Sequence, residues 1–247
     1  MALCRSALYE ALALGLRSPT GETLDRLVSR EGAEALADAA GVLDAASGTT
    51  LAPAVCRLAR PATLDDLRQR FERLFGHTAR GRVPPYETEY GADSLFQPIF
   101  EMSDLGAFYR AFGLCLAPEA RERPDHVSGE CEFLAFLCRK EAYAGDRGDP
   151  AMLEVTTAAT RRFLRDHLGR WGPAFGQALA RHDPGGFFGA LGVLAADFVT
   201  RECARAGVPA GPEFLPLRSP TLPDVPAACG GAPDPAGLLS PREPGLP

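Results

Sequence analysis

The sequence contains almost no lysine and no long apolar run. Lys140 is the only lysine among 26 basic residues. A biased coding composition explains this excess of arginine more simply than a chemical requirement does. No stretch reaches the roughly 18 apolar residues that a membrane-spanning helix needs. The net charge of −6 gives no general attraction to nucleic acid or to anionic lipid. The sequence therefore argues against a nucleic-acid-binding module and against stable membrane insertion.

Motifs of several enzyme classes are also missing. The chain has no Gly-x-Ser-x-Gly elbow, no P-loop and no Gly-x-Gly-x-x-Gly turn, which are the signatures of esterase-type hydrolases and of nucleotide-binding folds. It has no Cys-x-x-Cys pair and no Glu-x-x-His pair, so thiol-redox and di-metal bundle patterns are absent as well. No motif in the sequence therefore supports catalysis, and none implies a cofactor of the protein's own.

The N-terminus lacks a convincing export signal. Glu10 interrupts its apolar run, and no small-residue cleavage site follows. We therefore expect a cytoplasmic protein whose seven cysteines are reduced thiols. Cys131 and Cys138 lie two helical turns apart, beyond disulfide reach on one straight helix, and are expected to be small core residues.

Apolar residues recur at helical spacing along most of the chain, and no alternating strand pattern appears. Thr63 opens a capping-box-like start, and Gly76 ends the helix that follows. The spacing predicts an all-α protein with one helical-bundle domain over residues 1–206. Helices are predicted over residues 2–16, 23–46 (one or two), 63–75, 98–112, 124–143, 150–168, 173–181 and 184–206.

Proline and negative charge are unevenly distributed. Residues 209–247 hold 11 of the 22 prolines, so residues 207–247 are predicted to form an extended or disordered C-terminal tail. Residues 84–132 hold ten acidic residues against three arginines, whereas the rest of the chain is nearly neutral. The connection over residues 76–97, which contains Pro84 and Pro85, overlaps this acidic segment. Its length favours a functional role.

The predicted helix over residues 124–143 places His126 and Glu130 on a face that is otherwise apolar. Burying both groups is costly unless each finds a partner. In one interpretation they pair with each other or with a neighbouring arginine, and Asp125 caps the helix. In the other they line the floor of a groove that receives a cation, with Phe133 facing an apolar ligand.

Three strings occur in a specific order: Phe71-Glu-Arg-Leu-Phe75 with Pro84-Pro-Tyr-Glu-Thr-Glu-Tyr-Gly91, then Glu101-Met-Ser-Asp-Leu-Gly-Ala-Phe-Tyr-Arg-Ala-Phe-Gly-Leu114, then Glu122-Arg-Pro-Asp-His-Val-Ser-Gly-Glu-Cys-Glu-Phe-Leu-Ala-Phe-Leu137. Over about residues 60–143 the chain resembles the TorD/DmsD/NarJ family of molybdoenzyme assembly chaperones. The resemblance implies an all-helical cytoplasmic protein that is not an enzyme. It also implies binding of a twin-arginine signal peptide while the apoenzyme awaits its molybdenum cofactor.

The implied partners are an apo-molybdoenzyme catalytic subunit and its signal peptide, and the implied oligomeric state is a monomer or a domain-swapped dimer. An arginine pair followed by an apolar run needs carboxylates and an apolar groove. The resemblance assigns peptide binding to Phe71, Leu74, Phe75, Pro85, Tyr86, Asp125 and His126. The acidic segment and the apolar face of the 124–143 helix add Glu87, Glu130 and Phe133.

Two alternatives remain at this stage. The first is a metal-dependent helical enzyme that uses His126 with Glu130, Glu87 or Glu89. The second is a helical scaffold in which the same motifs are only core residues.

Overall fold

The computed structural model describes residues 1–47, 50–60, 62–76, 80–93, 97–117, 122–219 and 239–241. Helices dominate the described part of the chain, which confirms the predicted all-α helical bundle. The α-helices are α1 (Ala2–Gly15), α2 (Gly21–Thr23), α3 (Arg30–Ser47), α4 (Ala52–Cys56), α5 (Leu64–Phe75), α6 (Gln97–Ala111), α7 (Val127–Arg147), α8 (Pro150–Asp166), α9 (Leu168–His182) and α10 (Phe187–Ala206). A π-helical turn, Leu24–Val28, follows α2, and a 3-10 turn, Glu87–Glu89, lies between α5 and α6.

The core is organised around two helix pairs, α1 with α7 and α9 with α10. In the second pair the backbones touch, because Gly176 and Gly192 face each other. A Cβ added at Gly176 would lie 2.5 Å from the carbonyl oxygen of Gly192. Glycine at both positions therefore allows the backbones of the two helices to approach closely.

Helix α5 begins and ends where its sequence predicts. The Thr63 side chain accepts a hydrogen bond from the Asp66 amide at 3.2 Å, and Asp66 reaches back to Thr63. Gly76, at φ +86°, is the C-cap, a conformation that favours glycine because other residues are strained there.

The starts of α7, α9 and α10 differ from their predictions, and α10 begins at Phe187 and not at Pro184. Helix α7 begins at Val127, not at Pro124, because residues 85–87 pair with residues 125–127 and hold that backbone extended. Helix α9 begins at Leu168, so Pro173 lies inside it and does not start it. Proline cannot donate a hydrogen bond to the carbonyl of Gly169, and that carbonyl instead accepts one from the Gly211 amide at 2.8 Å.

The described part of the chain also contains two short strands that the sequence did not predict. Strand β1 (Leu114–Leu116) pairs antiparallel with β2 (Leu239–Pro241). A three-residue strand is too short to show an alternating pattern. The predicted extended or disordered tail thus contains one short strand, β2. Within this tail Val208 and Arg218 are buried, and residues 220–238 and 242–247 fall outside the described residues.

The cysteines within the described residues are free. Cys131 and Cys138 are buried on α7, as expected for small core residues. Burial raises the pKa of the Cys138 thiol to about 12, so this thiol stays protonated and unreactive at neutral pH.

Candidate functional site

Two of the sequence motifs meet through backbone pairing. The Glu87 amide donates to the carbonyl of Asp125 at 2.9 Å, and the Val127 amide donates to the carbonyl of Pro85 at 2.8 Å. Tyr86 and His126 lie opposite each other in this pairing, with ring centroids 5.3 Å apart. The structure thus joins the Pro-Pro-Tyr-Glu string to the Asp-His pair, as a shared site requires.

A guanidinium group already occupies this junction. Arg123 makes a forked ion pair with Asp125, with Nε to Oδ1 at 2.9 Å and Nη2 to Oδ2 at 2.7 Å. Its Cζ also lies 4.4 Å from the centroid of the Tyr86 ring. Asp125 is fully buried and accepts a further hydrogen bond from the Thr88 hydroxyl at 2.7 Å. A carboxylate fork and an aromatic face are the two contacts that recognise arginine best.

His126 is the N-cap of α7. Its Nδ1 accepts a hydrogen bond from the Ser128 amide at 3.1 Å, and the residue is only 4% exposed. Burial lowers the pKa of His126 below its usual value, which keeps the imidazole neutral and Nδ1 available as an acceptor. The interpretation in which Asp125 caps this helix is therefore wrong.

Glu130 is completely buried and accepts hydrogen bonds from Trp171 Nε1 at 3.2 and 3.4 Å. Burial, followed by the nearby charge of Glu87, raises the pKa of Glu130 well above its usual range. Its partner is a neutral indole on α9. In the interpretation that pairs these groups, the pairing of Glu130 with His126 or with an arginine is therefore wrong. A role for Glu130 in contacting a cation stays a prediction.

Glu87 connects the junction to a second group of charges. Its carboxylate is buried and accepts from Arg170 Nη2 at 2.6 Å, while its other oxygen lies 3.0 Å from His167 Nδ1. Arg170 also binds Glu101, and His167 Nε2 lies 3.3 Å from Asp104. A continuous ionic chain thus runs from the 87–89 turn to helix α6.

This chain borders a cleft of about 610 Å³ between α6 and the start of α9. Phe100 lies in the cleft with 70% of its surface exposed. The remaining wall holds both acidic and basic side chains. The charged and polar lining consists of Gln97, Glu101, Ser103, Asp104, Arg165, Asp166, His167 and Arg170.

The other predicted residues lie apart from the junction. On α5, Leu74 and Phe75 are buried, and half-buried Phe71 packs against Phe75 with ring centroids 4.6 Å apart and the rings tilted at 52°. Phe133 is fully buried on α7, 4.8 Å from the ring of Phe163. The structure therefore brings together Pro85, Tyr86, Glu87, Asp125 and His126. Phe75 and Phe133 belong to the hydrophobic core, and Phe71 packs against it.

Sequence reasoning missed several residues of this region. Among them His167, Arg170 and Arg218 are supplied by segments outside the recognised strings. No spacing rule marks them, because each meets its carboxylate only through the tertiary fold. For the part of the chain that the structure describes, no three His, Cys, Asp or Glu residues are grouped to hold a metal ion. The metal-enzyme alternative thus has no ligand set there.

None of the helices in the described ranges has the length and apolar character needed to cross a membrane.

Known proteins similar to this chain include reductase assembly chaperones. The chlorate reductase assembly chaperone protein of Ideonella dechloratans is 40% identical over 91 residues, covering 37% of this chain and 43% of that protein. The selenate reductase assembly chaperone protein of Thauera selenatis is 37% identical over 95 residues, covering 38% and 45%. The chaperone protein TorD of Vibrio cholerae serotype O1 (strain M66-2) is 27% identical over 139 residues, covering 56% and 60%.

The alignments span less than two thirds of the length of each of these relatives. The model of the nitrate reductase delta subunit family, however, matches residues 30–177, which is more than half of the chain. This match includes both halves of the junction and the ionic chain. It confirms the resemblance to TorD-like assembly chaperones, and the chain belongs to the nitrate reductase delta subunit family.

Proposed function

We propose that this protein is a cytoplasmic assembly chaperone for the catalytic subunit of an exported molybdenum-cofactor oxidoreductase. It binds the twin-arginine signal peptide of that subunit and holds the apoenzyme until the cofactor is inserted. The observation that carries the proposal is the family match over residues 30–177 together with relatives named for reductase assembly. The absence of catalytic motifs agrees with a binding role.

The geometry of the junction supports recognition of arginine. Asp125 and the Tyr86 ring already hold the guanidinium of Arg123. The side chain of Arg123 is 41% exposed, so an incoming arginine can displace it without unfolding the core. In this proposal the first arginine of a client exchanges with Arg123 on Asp125. The exchange conserves the charge pairing, so the buried carboxylate is never left without a cation.

The direct test is titration calorimetry at low salt with the leader of a molybdoenzyme encoded beside this gene. The wild-type chain should bind the leader, and a leader with two lysines in place of the arginines should bind more weakly, because lysine lacks the planar fork. Failure of every such leader to bind would overturn the proposal.

The Asp125→Asn variant tests the assigned carboxylate. Loss of one charge-assisted contact is expected to weaken leader binding by about ten- to a hundredfold. Asp149→Asn is the matched control, because Asp149 caps the distant helix α8 through the Met152 amide and asparagine also caps well. Equal affinity of both variants would remove Asp125 from the site.

A further inference from the structure

The segment that follows α10 is tied to the domain at two places. The first is Gly211, whose amide donates to the carbonyl of Gly169, the group that Pro173 leaves unpaired inside α9. A Cβ at Gly211 would lie 1.9 Å from the carbonyl oxygen of Arg170, so only glycine fits this contact. From there residues 212–219 run along the surface in extended form.

The second place is the edge of the 89–91 backbone. The Gly91 amide donates to the carbonyl of Pro216 at 2.9 Å, and the Arg218 amide donates to the carbonyl of Glu89 at 2.8 Å. Tyr90 and Leu217 are opposite each other in this antiparallel pairing. An extended peptide that adds itself to an exposed backbone edge is a common mode of peptide recognition.

Arg218 fills a pocket whose oxygen atoms accept hydrogen bonds from each nitrogen of its guanidinium group. The residue is 5% exposed. Its two terminal nitrogens make a forked contact with Glu101, at 3.0 and 3.3 Å. Nη1 also donates to the carbonyl of Thr88 at 3.0 Å, and Nε donates to the carbonyl of Ala92 at 3.1 Å. Every nitrogen of the group has an acceptor, which a lysine ammonium could not reproduce.

The carboxylate of this pocket is ionised. Burial acts to raise the pKa of Glu101, but the hydrogen bonds from Arg218 and Arg170 outweigh it and lower the pKa below the usual value. Ionised Glu101 attracts a cation at neutral pH, and Arg170 keeps a charge beside it if Arg218 leaves.

Within residues 214–219 apolar burial is limited to Leu215, which is partly buried and packs against the core. Phe214 is 68% exposed and Leu217 is 41% exposed. The segment is therefore held mainly by its arginine, by main-chain hydrogen bonds and by Asp93, whose carboxylate accepts from the amide and the hydroxyl of Ser219. A ligand that offers an arginine and an extended main chain can replace it.

The pocket of Arg218 lies next to the junction that holds Arg123. Thr88 contacts both guanidinium groups, its hydroxyl accepting from Arg123 Nη2 and its carbonyl from Arg218 Nη1. The 86–93 loop thus presents two arginine subsites on either side of one residue. This spacing suits a peptide with two neighbouring arginines.

We propose that Glu101, with the carbonyls of Thr88 and Ala92, forms a second arginine subsite for an extended peptide, and that residues 216–219 occupy it as a competing internal ligand. The identity of the peptide that binds from solution rests on the proposed function, whereas the existence of the subsite does not rest on it. A tethered ligand acts at an effective concentration in the millimolar range. An outside peptide must therefore displace Arg218, and peptides without arginine are rejected.

The subsite is tested with the chain's own sequence. A labelled synthetic peptide of residues 212–219 is titrated by fluorescence anisotropy into full-length wild type and into Arg218→Ala. The peptide should bind Arg218→Ala at least about tenfold more tightly, because the subsite is vacated. The same peptide with alanine at position 218 should not bind. Arg30→Ala, which removes an exposed arginine (88% exposed), is the control and should behave as wild type.

Hydrogen exchange on the wild-type chain gives a second measurement that needs no variant. Addition of a molybdoenzyme leader should expose the Arg218 amide to exchange and leave the Gly211 amide protected. If Arg218→Ala fails to fold, the hydrogen-exchange measurement alone tests whether a leader displaces residues 216–219. The internal-ligand proposal is overturned if the leader binds while the Arg218 amide stays protected, or if Arg218→Ala leaves leader and peptide affinity unchanged.

The two proposals fail differently. If the 212–219 peptide binds Arg218→Ala and no leader binds any variant, the subsite stands and the chaperone function is wrong. If leaders bind wild type and Arg218→Ala equally, the function stands and the competing segment is wrong.

Discussion

The Nδ1 atom of His126 accepts a hydrogen bond from the Ser128 amide at 3.1 Å and so caps helix α7. The bond requires an unprotonated Nδ1, because a charged imidazole has only donors. Burial, the main cause, lowers the pKa of His126. The start of the helix that follows the Asp-His pair therefore depends on the protonation state of one side chain.

This relationship predicts acid sensitivity. The folded-state pKa of His126 lies below its unfolded value of about 6.5, so the unfolded chain takes up this proton first as pH falls. The contribution of His126 to the free energy of unfolding is thus present above about pH 6.5 and is lost as pH falls toward the folded pKa, by at most about 1.4 kcal/mol per pH unit. His126→Asn keeps a capping oxygen and cannot titrate. Urea unfolding at pH 7.5 and 5.5 should show a smaller loss for this variant than for wild type.

The control is His182→Asn, which removes an exposed imidazole at the end of α9 and should leave the pH dependence unchanged. An equally steep loss in His126→Asn would mean that another group causes the acid sensitivity.

The buried carboxyl of Glu130 should make the free energy of unfolding depend on pH in the opposite direction. Its folded pKa is raised by burial and by Glu87, so the native state keeps a proton that the unfolded chain releases. The contribution to stability is present below the unfolded pKa of about 4.3 and is lost as pH rises through the folded value. Glu130→Gln keeps an acceptor for Trp171 without a charge. Its free energy of unfolding relative to wild type should increase from pH 5 to pH 8, by about 1 kcal/mol or more.

Thermal unfolding at both pH values measures this difference. Glu34→Gln, at a residue whose side chain is 61% exposed, should show none. A difference between Glu130→Gln and wild type that is the same at pH 5 and pH 8 contradicts the raised pKa.

Local sequence signals predicted the elements whose ends are fixed locally. Helix α5 is an example, because Thr63, Asp66 and Gly76 determine its two ends by contacts within a few residues. The start of α7 was misplaced because the backbone of Asp125 is held by residues about forty positions earlier. Pro173 inside α9 was misread for the same reason, since the partner that compensates it is Gly211.

The site shows the same division. The strings around Tyr86 and His126 could be recognised from sequence, and the structure brings them together. The arginines that neutralise the acidic neighbours of these strings could not be recognised from sequence. Arg170 and Arg218 come from distant segments and carry no periodic or motif signal, so only the tertiary fold assigns them to Glu87 and Glu101.

The close contact of α9 and α10 predicts a strong effect of one methyl group. In Gly176→Ala the new Cβ would lie 2.5 Å from the Gly192 carbonyl oxygen and 2.7 Å from the Ala196 amide nitrogen. Both are backbone atoms, so the helices must separate. We expect a loss of about 1–3 kcal/mol in the free energy of unfolding. Gly145→Ala on α7, where a Cβ meets nothing within 4 Å, should instead gain up to about 1 kcal/mol. Urea unfolding of both variants measures these two changes in the free energy of unfolding. A loss of similar size in each variant would contradict the packing argument.

The ionic chain predicts that Arg170 supports the 87–89 turn. Its Nη2 binds the fully buried carboxylate of Glu87 at 2.6 Å and also contacts Glu101. Arg170→Ala leaves the Glu87 charge with fewer partners, and we expect a loss of about 1–3 kcal/mol, less than for a fully buried pair because Arg170 is 35% exposed. Arg165→Ala removes an arginine that is 57% exposed from the wall of the same cleft.

The Arg165→Ala variant should change stability by less than about 0.5 kcal/mol, measured by urea unfolding with Trp171 fluorescence as the probe. Trp171 suits this measurement because it is the only tryptophan and is buried one residue after Arg170.

The double variant Arg170→Ala with Glu87→Gln should recover part of the stability that Arg170→Ala loses, since the glutamine amide does not need a cation. If the double variant is no more stable than Arg170→Ala, the destabilisation comes from lost packing of the arginine stem and the carboxylate of Glu87 is not its cause.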